Sequence, residues 1–193
     1  MTPMTPTMPT TPATSEWLRA LARYNRWMND KLYAIAAELS DEERRRDRGA
    51  FFKSIHGTLN HLLLADRIWL SRLTGDAAWA EGIRGLDQEL HADFNELRAA
   101  RRRVDDAIDA WVAALAGASA GADAALAAPL RYVRRGEPIE HPLWWAAVHA
   151  FNHQTHHRGQ LTTLLLQAGR DPGVTDLFAM LREEAQAAQA APR

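Results

Sequence analysis

The chain has 193 residues, 47% of them apolar and 24% charged, which is enough for one domain with a substantial core. Its 23 Lys+Arg against 24 Asp+Glu leave a net charge of −1, so no global field favours nucleic acid, and no apolar run approaches the ~20 residues that span a bilayer. The absence of cysteine excludes disulfides, thiolate metal ligands, iron–sulfur clusters and a cysteine nucleophile.

Residues 1–14 are rich in Thr, Pro and Met, and Pro3, Pro6, Pro9 and Pro12 deny them a regular helix. The segment lacks the basic start and apolar middle of a signal peptide, so a disordered leader on a cytoplasmic protein is the expectation. A single domain is expected over 15–187, with a disordered tail over 188–193.

Thr14 or Ser15 suits the N-cap of a first helix over about 16–39, whose buried stripe is Leu18, Leu21, Met28, Leu32, Ile35 and Leu39. Ser40-Asp41-Glu42-Glu43 reads as a capping box before a short Arg-rich helix closed by Gly49. A second long helix starts near Ser54 and keeps the helical spacing through Ile55, Leu59, Leu62, Trp69 and Leu73 until Thr74-Gly75-Asp76 breaks it. His61 lies beside that stripe. After a loop through Gly82 and Gly85, a third long helix is expected over about 87–115. Its Arg101/Asp105 and Arg102/Asp106 pairs have the spacing of exposed ion pairs, and Arg101-Arg102-Arg103 reads as a solvated face.

Residues 117–128 are almost all Ala, Gly, Ser and Asp and read as a loose connection with marginal helicity. Leu130 to Glu140 reads as a small β-hairpin turning at Arg135-Gly136. Pro142 suits the first turn of a fourth long helix running to Ala168 with Gly169 as its stop. A last short helix, capped by Thr175 or Asp176, should reach about Ala185. These elements define an all-α protein: periodicity alone implies a four-helix bundle, with the hairpin before its last helix.

Between His149 and Gln160 the chain gathers four of its eight histidines on what reads as helix. Imidazoles four apart stay on nearly one face and can converge on one ion. His149, His153 and His157 form such a ladder, but the outer two are separated by roughly 12 Å of rise. Spacing therefore permits His149/His153 or His153/His157, not all three, and a further ligand must come from another helix, with His61 the evident donor. The bland alternative is a set of satisfied structural histidines. Asp66, five residues after His61, is either a base or orienting group or an arginine's partner. Arg158 suits a carboxylate or a helix end.

Asn152-His153-Gln154-Thr155-His156-His157-Arg158-Gly159-Gln160, His61 followed by Asp66 and Trp69, and Tyr24-Asn25-Arg26-Trp27-Met28-Asn29 together resemble the DinB/YfiT-like family of metal-binding four-helix bundles. The resemblance spans roughly 17–181. It implies an up-down-down-up helix order, a homodimer, and a metal held by His61, His153 and His157. His149 is then left to a cavity, and His149, Asp66 and Arg158 remain the candidates for catalysis. Three nitrogen ligands leave coordination positions free, as in catalytic zinc sites. Zinc or nickel is the expected ion, and the expected function is a metal-dependent hydrolase or a transferase of a low-molecular-weight thiol acting on a small molecule. The alternative is a metal-stabilised stress-response or interaction protein without turnover.

Overall fold

The computed structural model describes residues 14–190. The leader expected over 1–14 therefore lies almost wholly outside the described residues. Among the described residues there are seven α-helices: α1 (Thr14–Ala37), α2 (Asp41–Arg45), α3 (Ile55–Thr74), α4 (Phe94–Ala116), α5 (Ala122–Ala127), α6 (Leu143–Gln167) and α7 (Leu177–Ala190). A 3-10 turn at Ala77–Ala80 follows α3, and a hairpin of β1 (Pro129–Arg134) and β2 (Glu137–Pro142) leads directly into α6.

The long helices are placed by their apolar stripes. α1 packs on α4 and α6, and α3 packs on the same two, so the four close a ring in the order α1, α4, α3, α6. Leu32 of α1, Leu59, Leu63 and Leu70 of α3, Leu97 of α4, and Leu161 and Leu165 of α6 are all at most 1% exposed. Full burial of such a side chain contributes roughly 1.5–3 kcal/mol. Of the α1 stripe, Leu21 and Ile35 are only partly buried, as are Trp69 and Leu73 on α3.

Caps set the ends of α3. Ser54 Oγ accepts from Gly57 N at 3.0 Å, and Gly75 takes the left-handed conformation (φ 75°) that stops the helix. At α2, Ser40 Oγ accepts from Glu43 N, but the Glu43 carboxylate turns to Arg46 and Arg48 instead of closing a reciprocal box. α2 ends at Arg45, and Gly49 belongs to the turn beyond it.

Several expectations need correction. The third long helix begins at Phe94, not near Asp87. Asp93 is its cap, accepting from Glu96 N at 2.9 Å, and Asn60 on α3 accepts from Leu90 N and His91 N, which holds the preceding residues as a loop. The marginal helicity of 117–128 is limited to the six-residue α5, anchored by buried Leu126. Pro142 is the N-cap of α6 rather than its first turn. α7 runs to Ala190, past the expected end and into the expected tail. It is capped by Asp176, which accepts from Ala179 N at 2.8 Å, and held by Met180 and an Arg23–Glu184 ion pair. The hairpin turns as expected at Arg135-Gly136, both at positive φ (52° and 84°), the type I′ geometry that matches strand twist.

The Arg101 side chain is not on a solvated face. It is 2% exposed, donates to Asp66 at 2.7 Å and pairs with Asp105 at 2.9 Å, both buried. Asn25 and Asn29 of α1 also donate to Asp105, at 3.1 and 2.9 Å. Arg102 and Arg103 stay exposed, and Asp106 pairs with Arg26 of α1 instead of Arg102.

Candidate metal centre

α3 and α6 pack along their length, and their facing stripes bring His61 together with His153 and His157. One nitrogen from each ring lies within 4.8 Å of the others, an arrangement that could hold a metal ion. The Nε2 atoms of His61 and His153 are 3.3 Å apart. Two nitrogens at ~2.0–2.1 Å from a tetrahedral ion subtend roughly the same separation, whereas the 4.8 Å limit leaves the rings a small adjustment to make.

Partners set the tautomers. His61 donates from Nδ1 to the Leu86 carbonyl at 2.9 Å, and His157 donates from Nδ1 to Gln160 Oε1 at 2.8 Å. Each bond puts the proton on Nδ1 and leaves the Nε2 lone pair free, as a metal-ligating imidazole requires. Gln160 uses its amide nitrogen on His156 at 3.3 Å, so one side chain spans both histidines. His153 Nδ1 is buried and has no partner among the described residues.

Phe52 stacks on His61 with centroids 3.7 Å apart and meets His157 edge-on at 5.5 Å. Its position depends on a close approach: a Cβ on Gly57 would lie 2.3 Å from the Phe52 carbonyl oxygen, so only glycine lets the chain fold back there. Burial holds all three imidazoles below the usual histidine pKa, and at His153 burial together with the neighbouring rings pushes it down to about 3. The unliganded centre is thus neutral at neutral pH.

The centre sits where two clefts meet, since His61, His153 and Leu86 line both. The larger, about 910 Å³, opens past Phe51, Phe52, His156 and Gln160 and carries charges of both signs, including Arg45, Lys53 and Glu89. The smaller, about 590 Å³, runs past Trp69, Trp145 and His149.

The other sequence candidates fall elsewhere. His149 is in the smaller cleft, its ring 5.8 Å from His153 and 4.8 Å from Trp69, outside the three-nitrogen group. Five residues on a helix turn Asp66 about 140° from His61, into the core against Arg101. Arg158 is 2% exposed, bonded to the side chain and carbonyl of Asn25 and laid over the Tyr24 ring. Neither Asp66 nor Arg158 lines either cleft, so the candidate catalytic roles for them have no geometric support.

Sequence reasoning missed Phe52, the Leu86 carbonyl and the Gln160 contact. Gln160 was legible, three residues after His157 on the same helical face. Leu86 contributes a backbone carbonyl from a loop and carries no sequence signal.

The DinB family model matches residues 8–189. The chain belongs to the DinB family. A crystal structure of a DinB-like protein from Bacillus cereus ATCC 10987 shares the fold at a TM-score of 0.54 and 22% identity, over 80% of this chain and 95% of that one. No curated protein matches the sequence. For this DinB-family chain the histidine group is thus defined by its own geometry, and its mostly helical fold, which carries a small antiparallel hairpin, is similar to that of the Bacillus cereus protein.

Proposed function

We propose that His61, His153 and His157 hold a divalent transition-metal ion, zinc or nickel, and that the protein is a metal-dependent hydrolase or low-molecular-weight-thiol transferase. The observation that carries this reading is three convergent neutral imidazoles, with two tautomers already fixed for Nε2 ligation, at the junction of two solvent-reaching clefts. When bound, such an ion supplies Lewis acidity and makes an adjacent water or thiol nucleophilic at neutral pH.

The chain's own residues do the rest. Leu86 and Gln160 keep the protons of His61 and His157 on Nδ1. Phe52 covers one face of His61 and keeps water from it. His149, whose pKa is lowered by burial and by Arg134 and Arg72, stands neutral beside His153 as a proton acceptor. By family analogy the same reading takes an up-down-down-up helix order, a cytoplasmic location and a homodimer.

The test is turnover by metal-loaded protein on a panel of thiol plus electrophile beside a panel of esters and amides, with metal content measured on the same samples. Turnover on one panel, lost together with metal in His153→Ala, is expected. Stoichiometric metal with no turnover on either panel would favour the non-catalytic stress-response or interaction reading.

A further inference from the structure

The two clefts differ in charge. The smaller cleft's lining holds Arg72 and Arg134 but no carboxylate, and among the described residues neither guanidinium is ion-paired. Arg72 is half-buried and fixed: its guanidinium carbon lies 4.5 Å over the Trp69 ring and 4.2 Å over the Tyr132 ring. Burial without an anion lowers its pKa, and Arg134 on the hairpin adds like-charge repulsion. A half-buried cation fixed between two aromatic rings, with a second, exposed cation near it, is costly unless something negative joins them.

Helix geometry ties this charge to the histidines. Arg72 follows His61 by 11 residues, about 20° from it around α3 and about 16 Å along the axis. Ala65, Ile68 and Trp69 fill the stripe between them, and Trp145, His149 and His153 form the facing stripe of α6. The result is an elongated, aromatic-walled slot with the histidine centre at one end and an arginine pair at the other.

We propose that this slot is an anion subsite, in which Arg72, assisted by Arg134, binds the carboxylate of an elongated substrate with an apolar or aromatic body whose opposite end lies at His61, His153 and His157. The planar guanidinium fork pairs bidentately with a carboxylate, and the cleft volume of about 590 Å³ is that of a small-molecule site. The proposal rests on the reading of the three histidines as the reactive centre, but its test separates the two.

The probe is 6-phenylhexanoate compared with its neutral amide, titrated by calorimetry into metal-loaded and metal-free protein. The carboxylate should bind roughly tenfold tighter than the amide in both forms, as a charge-assisted hydrogen bond implies. Arg72→Met should abolish that preference while leaving amide affinity and metal content unchanged, and Arg72→Lys should restore part of it. Should Arg72→Met lose its helical circular dichroism, Arg134→Met, an exposed hairpin change, decides: a preference reduced severalfold supports the subsite, and an unchanged one overturns it. A preference seen only in the metal-loaded protein would place the carboxylate on the ion and overturn the subsite while leaving the metal reading intact. A protein that takes up no metal but keeps the preference would overturn the metal reading alone.

Discussion

His153 is the residue on which the centre turns, because it contacts both other imidazoles and has the most depressed pKa, about 3. Alanine at His61, His153 or His157 should each abolish stoichiometric metal, whereas His149→Ala should retain it, since His149 lies outside the convergent group. Metal analysis of the four purified variants checks this, and loss from His149→Ala with retention in His157→Ala would reverse the assignment. The pKa directions also set a pH dependence. In the metal-free protein an unfolded histidine takes a proton near ~6.5, but folded His153 refuses it until about 3, so the unfolded state binds more protons throughout that window. Stability of the metal-free protein must therefore fall as pH drops below ~6.5. Urea midpoints from pH 7 to 5 should decline in wild type and decline less in His153→Ala; equal slopes would refute the assignment.

At the scale of elements, α3 is the shared wall: one face carries His61 toward α6, and another carries Asp66 toward α4. The Asp66–Arg101–Asp105 cluster holds α3, α4 and, through Asn25 and Asn29, α1 in register. Burial lifts both carboxyls above their usual range even beside Arg101, while Arg101 itself is held protonated by them. Removing the cation strands two buried carboxyls. Arg101→Met should therefore destabilise the fold by roughly 3–5 kcal/mol, the cost of breaking a buried pair from one side. Denaturant unfolding measures it, and a loss under 1 kcal/mol would show that the carboxyls simply take up protons. Metal content per folded molecule should survive, because the cluster and the histidines occupy different faces of α3.

For the whole molecule, the four long helices bury their own apolar stripes, so the proposed ion is a staple and not a folding cofactor, unlike a zinc finger's. Chelation should leave most of the helical circular dichroism. Ligand binding to the native state alone stabilises by RT ln(1 + [L]/Kd), about 4 kcal/mol at a thousandfold excess over Kd. Tm should therefore fall by roughly 10 °C on chelation of fully loaded protein. A random-coil spectrum would make the metal a folding cofactor, and an unchanged Tm would mean the ion makes no native-specific bridge between α3 and α6.

Local patterning carried the long helices, the Ser54 and Gly75 ends of α3, the hairpin turn and the choice of histidines worth testing, because each depends on residues a few positions apart. Periodicity could name a buried stripe but not its neighbours, so Arg101 read as one of three solvated arginines until α3 brought Asp66 against it. The start of α4 was misplaced for the same reason: Asn60, some thirty residues earlier, captures the backbone of Leu90 and His91 and keeps it from joining the helix. In the sequence Asp66 reads equally as a base or as an arginine's partner and Arg158 as the partner of a carboxylate or helix end; in the fold Asp66 accepts from Arg101 and Arg158 donates to Asn25. Spacing alone also left His149/His153 and His153/His157 equivalent. The family resemblance points to the later pair, and the packing of α3 on α6, which sets His61 beside His153 and within reach of His157 and gives Leu86 its place at His61, supplies the geometric reason. Which side chains share a helical face follows from the 3.6-residue turn; which faces meet follows from close packing of the whole chain.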